Sequence, residues 1–540
     1  MSILKELSPD YQLESSPSRA IELPELLRLI FAHCDQGSNA RNASVCRSWA
    51  EISLDFVWAD ISAISVVFNR LGTVTVDGNG NQSFLASPRY AEWHRFRSYY
   101  ARRVRKLSLR ALDETKIIYL LHSLSRLSQP CSPIFPNLKS LEWGDIDSRG
   151  YTHHSVLFMH DGISDFKLQI KGQVSEDILD QYFQAVKERM PYLLSLTVEI
   201  PLAQHAALVS VLAPIVKSFA RLESLYIPSF IDISDILSDL ADSSSLKELR
   251  FIRTSQDVGT QVLLSRSPDT VLHALQILVL HAPYQNFTHF LRSSPGSSSN
   301  IHTLEIYSTS RTSETPATVK DLLEVCASHF PKLSWFRVGF TEHFPPSIPE
   351  TPSAVNLIHF QHIVPILQNT QMKHFHFGHS FPIVLNQSDV EKIASSWKSL
   401  RFINLNSNPV AELPPDCADF LTLNAIIHLR HIVLVWRLFT YECVRGDNEP
   451  GKGIMRHMHT LSPGYVNSAI DDAQVAMFLS RLLPWRCQLE FPSKDGVELW
   501  RDVKKGLALI ETMQEVLKRD LKEEMQKEAA RKNGQAFNKP

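Results

Sequence analysis

The chain has 540 residues, of which 44% are hydrophobic, and its 55 basic and 57 acidic side chains give a formal net charge of −2. A chain of this length can bury a large core or a long repeat array. The balanced charge argues against nucleic-acid and anionic-membrane binding, because both favour a clear positive excess. The N-terminus is too polar for a signal peptide. The most apolar window, residues 425–439, carries Arg430 and Arg437, so we expect no membrane span.

Seven cysteines are scattered along the chain, and none forms a Cys-x-x-Cys pair. This distribution is typical of a reducing compartment and favours neither a disulfide framework nor a zinc site. We therefore expect a soluble intracellular protein, cytoplasmic or nuclear, without a metal or a cofactor. Residues 1–19 are rich in Ser and Pro and are predicted to be disordered.

Residues 20–61 predict a small module of two or three short helices. Pro24 suits the first turn of a helix because its missing N–H needs no partner there. Two apolar stripes follow at helical spacing: Leu23, Leu27, Ile30 and Cys34, then Val45, Trp49, Ile52 and Phe56. Residues 35–39 are turn-forming types and predict a turn between the stripes. So small a module cannot bury all of this apolar surface, so part of it is expected to face a partner.

These residues resemble an F-box. The matching segments are Leu23-Pro24-Glu25-Leu26-Leu27, Ile30-Phe31, Val45-Cys46-Arg47-Ser48-Trp49 and Val57-Trp58. The resemblance implies docking to the Skp-family adaptor, and through it to the cullin scaffold, of an SCF-type ubiquitin ligase. It places eight residues on the docking surface: Leu23, Pro24, Leu27, Ile30, Phe31, Val45, Cys46 and Trp49. The segment 39–44 departs from the family pattern, since it offers only alanines where two or three aliphatic residues are usual. The alternative is a helical cap on a larger domain, with Trp49 and Trp58 in its core.

Residues 62–103 are expected to connect this module to the rest of the chain. The run Thr73–Gly80 alternates apolar and polar residues and ends in Asp-Gly-Asn-Gly, which predicts a β-hairpin. A basic cluster follows at Arg102, Arg103, Arg105 and Lys106. It is either a solvated edge or a patch for an acidic partner.

Between residues 104 and 434 a short phrase recurs twelve times: apolar, two spacers, apolar, one spacer, apolar. The repeat domain is predicted over residues 104–496. The central residues of successive phrases are 24 to 39 positions apart, which is close to the period of leucine-rich repeats. Helix-sized segments lie between the phrases: 175–190, 203–219, 318–330, 388–397 and 471–483. Thr318 and Asp321 have the spacing of a capping box.

The predicted fold class is therefore α/β, a small all-α module followed by an irregular solenoid with parallel strands on one face and helices on the other. The repeats resemble divergent leucine-rich repeats, with irregular units expected near residues 340–372. An ordinary α/β domain is the alternative. Residues 497–529 predict a charged helix with one apolar stripe, either a C-terminal cap or a coiled-coil seam, and residues 530–540 are expected to be disordered.

No catalytic motif stands out in the sequence, and we predict no catalytic, cofactor-binding or metal-binding residues. The best metal candidate is His374-x-His376-x-x-His379, where His374 and His376 would share a strand face, but strand-surface histidines usually bind no metal. The function that the sequence favours is a ligase adaptor that binds a protein substrate on the solenoid and acts by proximity. The alternatives are a scaffold that assembles no ligase, and a hydrolase within residues 104–490.

Overall fold

The structure is a computed structural model that describes residues 23–109, 114–127, 132–146, 154–170, 173–200, 205–229, 244–252, 274–293, 300–308, 314–340, 357–380, 383–385, 387–400, 402–405, 431–434, 460–463, 488–489, 505–510, 512, 513, 516 and 519. It is an α/β protein in which parallel strands alternate with helices, and it divides into two compact units, Met1–Leu222 and Glu223–Pro540. Predictions for residues 1–19, 471–483 and 530–540 lie outside the described residues, as does most of the helix predicted at 497–529.

Unit 1 has eight helices among its described residues: α1 (Pro24–Ala32), α2 (Gln36–Asn42), α3 (Arg47–Val57), α4 (Ser65–Leu71), α5 (Tyr90–Tyr99), α6 (Glu114–Leu127), α7 (Glu176–Arg189) and α8 (His205–Ser218). Its strands are β1 (Asp60–Ile61), β2 (Val74–Val76), β3 (Gln82–Phe84), β4 (Lys106–Leu109), β5 (Ser140–Ile146), β6 (Asp165–Ile170) and β7 (Ser195–Glu199). Short 3-10 helices lie at Ala101–Arg103 and Ser155–Leu157.

The sheet of unit 1 is parallel and has the order β1-β4-β5-β6-β7. Its first strand, β1, belongs to the segment that the sequence assigns to the helical module, so this module runs directly into the sheet. The predicted hairpin is confirmed, since β2 and β3 pair antiparallel. Asp77 closes its loop by accepting from the backbone N–H groups of Asn79 and Asn81, each at 2.8 Å, and Gly80 takes the positive φ of 83° that this turn requires.

Unit 2 carries the described strands β8 (Ser224–Pro228), β9 (Glu248–Ile252), β10 (Ile277–His281), β11 (Thr303–Ser308), β12 (Trp335–Phe340), β13 (Ile358–His359), β14 (His374–Phe377), β15 (Ile383–Val384), β16 (Phe402–Leu405), β17 (His431–Leu434), β18 (Thr460–Pro463) and β19 (Gln488–Leu489). Its helices are α9 (Tyr284–Ser293), α10 (Pro316–His329), α11 (Phe360–Ile363) and α12 (Gln387–Ser396), with a 3-10 helix at Val364–Gln368. All strands except β13 and β15 form one parallel sheet, and those two pair with each other.

The repeated phrase fixes the register of both sheets. The central residues of the predicted phrases are successive register partners: Leu107, Leu141, Phe166 and Leu196 in unit 1, and Leu225, Leu249, Leu278, Leu304, Phe336, Phe375, Ile403 and Ile432 in unit 2. All of them up to Ile403 are buried. Each strand therefore buries its apolar face against its neighbours, which confirms the prediction of a parallel α/β stack.

The helices predicted between the phrases are also confirmed wherever the structure describes them, and their ends lie within about three residues of the predicted ends. The one exception concerns a predicted helix cap. The capping box predicted at Thr318 and Asp321 is wrong. Thr315 is the N-cap of α10 and Thr318 its N3 residue, with each side chain accepting from the other's backbone N–H at 3.2 and 2.8 Å. Pro316 explains the earlier start, because proline is favoured at the first helical position. The expected irregularity is confirmed for residues 357–368, where one helical turn and a 3-10 helix replace a long helix.

Candidate functional site

The helical module of unit 1 has a small apolar core between α1 and α3. Leu27 and Phe31 of α1 pack on Ile52 of α3, and Trp49 meets the ring of Phe31 edge-on with 5.1 Å between ring centroids. Cys34 and Phe56 complete this core as partly buried neighbours. Sequence spacing alone does not predict which apolar side of α1 faces inward.

A second apolar surface of the same module faces solvent. It consists of Leu23, Leu26, Leu29, Ile30 and Val45, each at least 39% exposed. At about 100° per residue, Leu23, Leu26 and Ile30 fall within about 60° of one another on α1. Leu29 lies about 60° further round α1 from Leu26, and Val45 precedes α3. Several exposed apolar side chains on one helix are typical of an interaction surface. We call these five residues the α1 apolar surface.

The eight residues predicted on the docking surface are thus divided by the structure. Leu27 and Phe31 are at most 2% exposed and lie in the core, so they support the α1 apolar surface from beneath and are not part of it. Trp49 is half-buried against that core. Leu23, Pro24, Ile30, Val45 and Cys46 are exposed. The stripe predicted as one face of α1 is therefore partly buried and partly exposed. The reason is that the apolar residues of this helix cover an arc of about 200°, which is wider than one neighbouring helix can bury.

Two polar residues that sequence reasoning passed over organise this module. Residues 35–39, predicted as a turn, begin helix α2 instead, because Asp35 accepts from Ser38 N–H at 2.9 Å as its N-cap. Asn39 is buried and donates to the carbonyls of Phe31 and Cys34 at 3.0 and 3.2 Å, so it holds the C-terminal end of α1. The Asp-x-x-Ser spacing signals such a cap, whereas no local signal identifies Asn39.

The basic cluster near residue 103 forms ion pairs with the same helical module. The side chain of Arg103 is 2% exposed and forms ion pairs with Glu51 at 2.5 Å and Asp55 at 3.0 Å, both on α3. Arg102 pairs with Glu51 at 3.5 Å, and Lys106 pairs with Asp60 at 3.5 Å. Three of the four cations, Arg102, Arg105 and Lys106, are exposed, as a solvated edge predicts, whereas Arg103 is buried and forms its ion pairs within the protein.

The outward face of the unit 1 sheet carries polar side chains that form hydrogen bonds and ion pairs with one another. Ser108 donates to Glu142 at 2.6 Å, and Lys167 pairs with Glu199 at 2.7 Å. Gln169 donates to the second oxygen of Glu199 at 3.0 Å. Groups that satisfy one another in this way gain little by exchanging their partners for those of a ligand.

The outward face of the unit 2 sheet is different, because rings alternate there with a few charges. The rings stand on β8, β10, β11, β12, β14 and β16, while β9 carries Arg250 between the first two: Tyr226, His281, Tyr307, Trp335, His374 and Phe402. Arg250 bonds to Glu248 at 2.5 Å and lies 3.8 Å from Glu305. A half-exposed aromatic surface of this kind is typical of protein recognition, in which aromatic anchors supply much of the binding energy.

The three candidate metal histidines do not converge. His374 and His376 lie on one face of β14 as predicted, but His379 is buried and packs against the rings of Phe340 and Phe377. Burial, and secondarily the charge of Arg337, lowers the pKa of His376 to about 4. Throughout the described ranges, no group of three or more His, Cys, Asp and Glu side chains could hold a metal ion. In the same part of the chain no helix is both long and apolar enough to span a bilayer.

No protein-family model matches the sequence, and a search of curated proteins gives no match. Among solved structures, the chain is similar to the crystal structure of the Rad7 and Elc1 complex in yeast, at 13% identity and a TM-score of 0.30. The similarity covers 89% of this chain and 93% of that chain. A TM-score of this size does not establish a shared fold.

Proposed function

We propose that this protein is the substrate-recognition subunit of an SCF-type cullin–RING ubiquitin ligase. In this proposal residues 20–61 act as the F-box and dock a Skp-family adaptor, while the strand and helix repeats are divergent leucine-rich repeats that bind a protein substrate. The observation that carries the proposal is the α1 apolar surface, which stands unpaired within the F-box-like sequence pattern.

The free energy gained by burying the exposed apolar side chains of α1 favours the binding of a partner protein. Burying a Leu or Ile side chain contributes roughly 1.5–3 kcal/mol relative to leaving it in water. The exposed Leu23, Leu26 and Ile30 would each gain such a contribution against a hydrophobic groove, as amphipathic helices do in groove-type recognition. Leu27 and Phe31 fix the orientation of α1, and Asn39 fixes its end, so the surface is pre-organised and little ordering is needed on binding.

The docking surface in this proposal differs from the one predicted from the sequence. It keeps Leu23, Pro24, Ile30, Val45 and Cys46 and adds Leu26 and Leu29. Leu27 and Phe31 become supporting residues, and Trp49 contributes its exposed edge. The proposed contribution to ubiquitin transfer is proximity, since the bound substrate is held near the ubiquitin-conjugating enzyme and no side chain of this chain is required to do acid–base chemistry.

Co-expression with a Skp-family adaptor tests the proposal. We expect the full chain to elute with the adaptor as one complex, and a chain with Leu26→Glu and Ile30→Glu to elute without it. Residues 20–61 should not simply be deleted, because Asp60 and Ile61 form strand β1 and Glu51 and Asp55 pair with Arg103. A folded full chain that binds no adaptor would contradict the ligase assignment and favour a scaffold that assembles no ligase.

A further inference from the structure

The outward face of β11, β12 and β14 carries its residues in three rows, and two of these rows continue onto β16. One row contains Trp335, His374 and Phe402, which are successive register partners. The rings of Trp335 and His374 stack with centroids 4.1 Å apart, and His374 lies 6.1 Å from Phe402. Trp335 is still 40% exposed, so this row offers a flat aromatic surface to a ligand.

The second row contains Glu305, Arg337, His376 and Asn404, again as register partners. The guanidinium of Arg337 lies over the ring of Tyr307, 5.3 Å from its centroid. Although Glu305 is its register partner, that carboxylate accepts from the Tyr307 hydroxyl at 2.6 Å and lies 3.8 Å from Arg250. Within the described residues no Asp or Glu is within 4.0 Å of the Arg337 guanidinium, and its buried Nε–H donates to no partner.

Two glycines leave space beside Arg337. Gly339 follows Arg337 on the same face, and a Cβ placed on Gly339 would meet no atom within 4 Å. A Cβ on Gly378 would lie 3.7 Å from the Gly339 Cα and 3.9 Å from His376 Nε2, which is ordinary contact. Tyr307 is the register partner of Gly339 on the other side. Together Tyr307, Arg337, Gly339, His376 and Gly378 line what we call the Gly339 depression, in which Gly339 is buried and the other four residues are partly exposed.

The charges of this region indicate the ligand that it would accept. The described strands β12, β14 and β16 contain no Asp or Glu, so no carboxylate on these strands competes for Arg337. Because the pKa of His376 is lowered to about 4, its imidazole is neutral at pH 7. One fixed positive charge in a planar, fork-shaped group matches one carboxylate better than a phosphate dianion, which usually needs more than one cation.

We propose that the Gly339 depression binds the carboxylate of an Asp or Glu side chain on an extended segment of the recruited protein. An apolar side chain of the same segment packs on the row formed by Trp335, His374 and Phe402. The rows of Trp335 and Arg337 are two residues apart along each strand, about 6.6 Å, which is also the spacing of alternate side chains in an extended peptide. This inference rests on the proposed function, because it specifies which protein segment the recruited substrate presents.

Fluorescence anisotropy with labelled peptides tests the inference on the full chain. The probe is a Gly/Ser-flanked peptide containing Phe-Ser-Glu, compared with the same peptide carrying Gln or phosphoserine in place of Glu. We expect the Glu peptide to bind at least fivefold more tightly than the Gln peptide and to weaken as salt is added. Equal binding of Glu and Gln peptides would overturn the proposal. A phosphoserine peptide that binds more than tenfold tighter than the Glu peptide would overturn the choice of a carboxylate.

Two variants localise the binding. Arg337→Gln removes the charge, and Gly339→Leu fills the depression without backbone strain, since Gly339 has no positive φ. We expect each variant to reduce Glu-peptide affinity at least fivefold, while the control Gly78→Leu, whose Cβ also meets no atom within 4 Å, has no effect. Unchanged affinity in both variants would overturn the proposal. Adaptor binding measured on the same preparations separates the two hypotheses, because it depends on the α1 apolar surface and not on Gly339.

Discussion

Glu314 is a buried carboxyl group that holds two helix starts of unit 2 in place. It is 2% exposed, and its Oε1 accepts from the Tyr284 backbone N–H at 3.0 Å, at the start of α9, and from the Ser308 hydroxyl. Its Oε2 accepts from Thr318 at 3.4 Å, in the first turn of α10. Burial raises the pKa of Glu314 even though these hydrogen bonds lower it. The group is therefore needed as an acceptor, while its charge disfavours the folded state.

Glu314→Gln separates these two roles. The amide oxygen of Gln can accept from Tyr284 and Ser308 without burying a charge, so we expect the free energy of unfolding at pH 7 to be unchanged or higher. Because the folded pKa exceeds the unfolded one, the wild-type loses stability as pH rises from the unfolded carboxyl pKa, about 4.3, through the folded value. The advantage of Gln should therefore appear in this interval and vanish below it, as measured by urea unfolding at several pH values.

Glu314→Ala is the matched control. It leaves the buried Tyr284 N–H without its acceptor, so we expect a loss of about 1–3 kcal/mol at pH 7. If Gln destabilised the protein as much as Ala at pH 7, the role of the buried charge would be contradicted.

At the scale of elements, α3 is held to the segment after α5 by one buried cation. Arg103 forms ion pairs with both Glu51 and Asp55, whose own side chains are about half exposed. Removing the cation of such a pair costs less stability than removing it from a fully buried pair, since both carboxylates can then be hydrated.

We expect Arg103→Leu to destabilise the helical module by about 1–3 kcal/mol. The measurement is hydrogen exchange by mass spectrometry, in which peptides from Arg47–Val57 should exchange faster while those from β9–β12 do not change. Arg102→Leu is the control, because Arg102 is exposed and exposed pairs contribute less than about 1 kcal/mol. Equal effects of the two substitutions would rule out the special role of Arg103.

Each strand of the parallel stacks depends on its two neighbours. Leu304 is fully buried between its register partners Leu278 and Phe336. We expect Leu304→Ala to cost about 2–5 kcal/mol, because it removes buried methyl groups and leaves a cavity. Thermal unfolding measures the loss, and Glu324→Ala on the exposed side of α10 should stay within about 0.5 kcal/mol of the wild type. A comparable loss in both variants would contradict the register-based core.

The elements show what sequence reasoning can and cannot predict. The repeated phrase located the strands and their register because its apolar positions are the buried ones, as for Leu141 and Phe166. Helix α2 was missed because its turn-forming residues are also good capping residues, as Asp35 demonstrates. The inward face of α1 could not be predicted because both its sides are apolar, so only packing distinguishes Leu27 from Ile30. The Gly339 depression depends on residues from three strands, which no local pattern connects.

At the scale of the whole molecule, the two units present different surfaces. Unit 1 carries the α1 apolar surface and a sheet face whose polar groups pair with one another. Unit 2 carries an aromatic sheet face on which the Arg337 guanidinium lies over the Tyr307 ring and has no carboxylate of the described residues within 4.0 Å. In the proposed function, one chain thereby holds two partners, the adaptor through unit 1 and the substrate through unit 2.

The affinity of the full chain for a Skp-family adaptor tests the central claim most directly. Isothermal titration calorimetry would compare Ile30→Ala with Leu85→Ala, since both positions are apolar and exposed but only Ile30 belongs to the α1 apolar surface. The account predicts nanomolar to micromolar binding by the wild type, a loss of about tenfold or more for Ile30→Ala, which is roughly 1.4 kcal/mol, and no change for Leu85→Ala. Adaptor binding that is absent in the folded wild type, or equally strong in both variants, would contradict it.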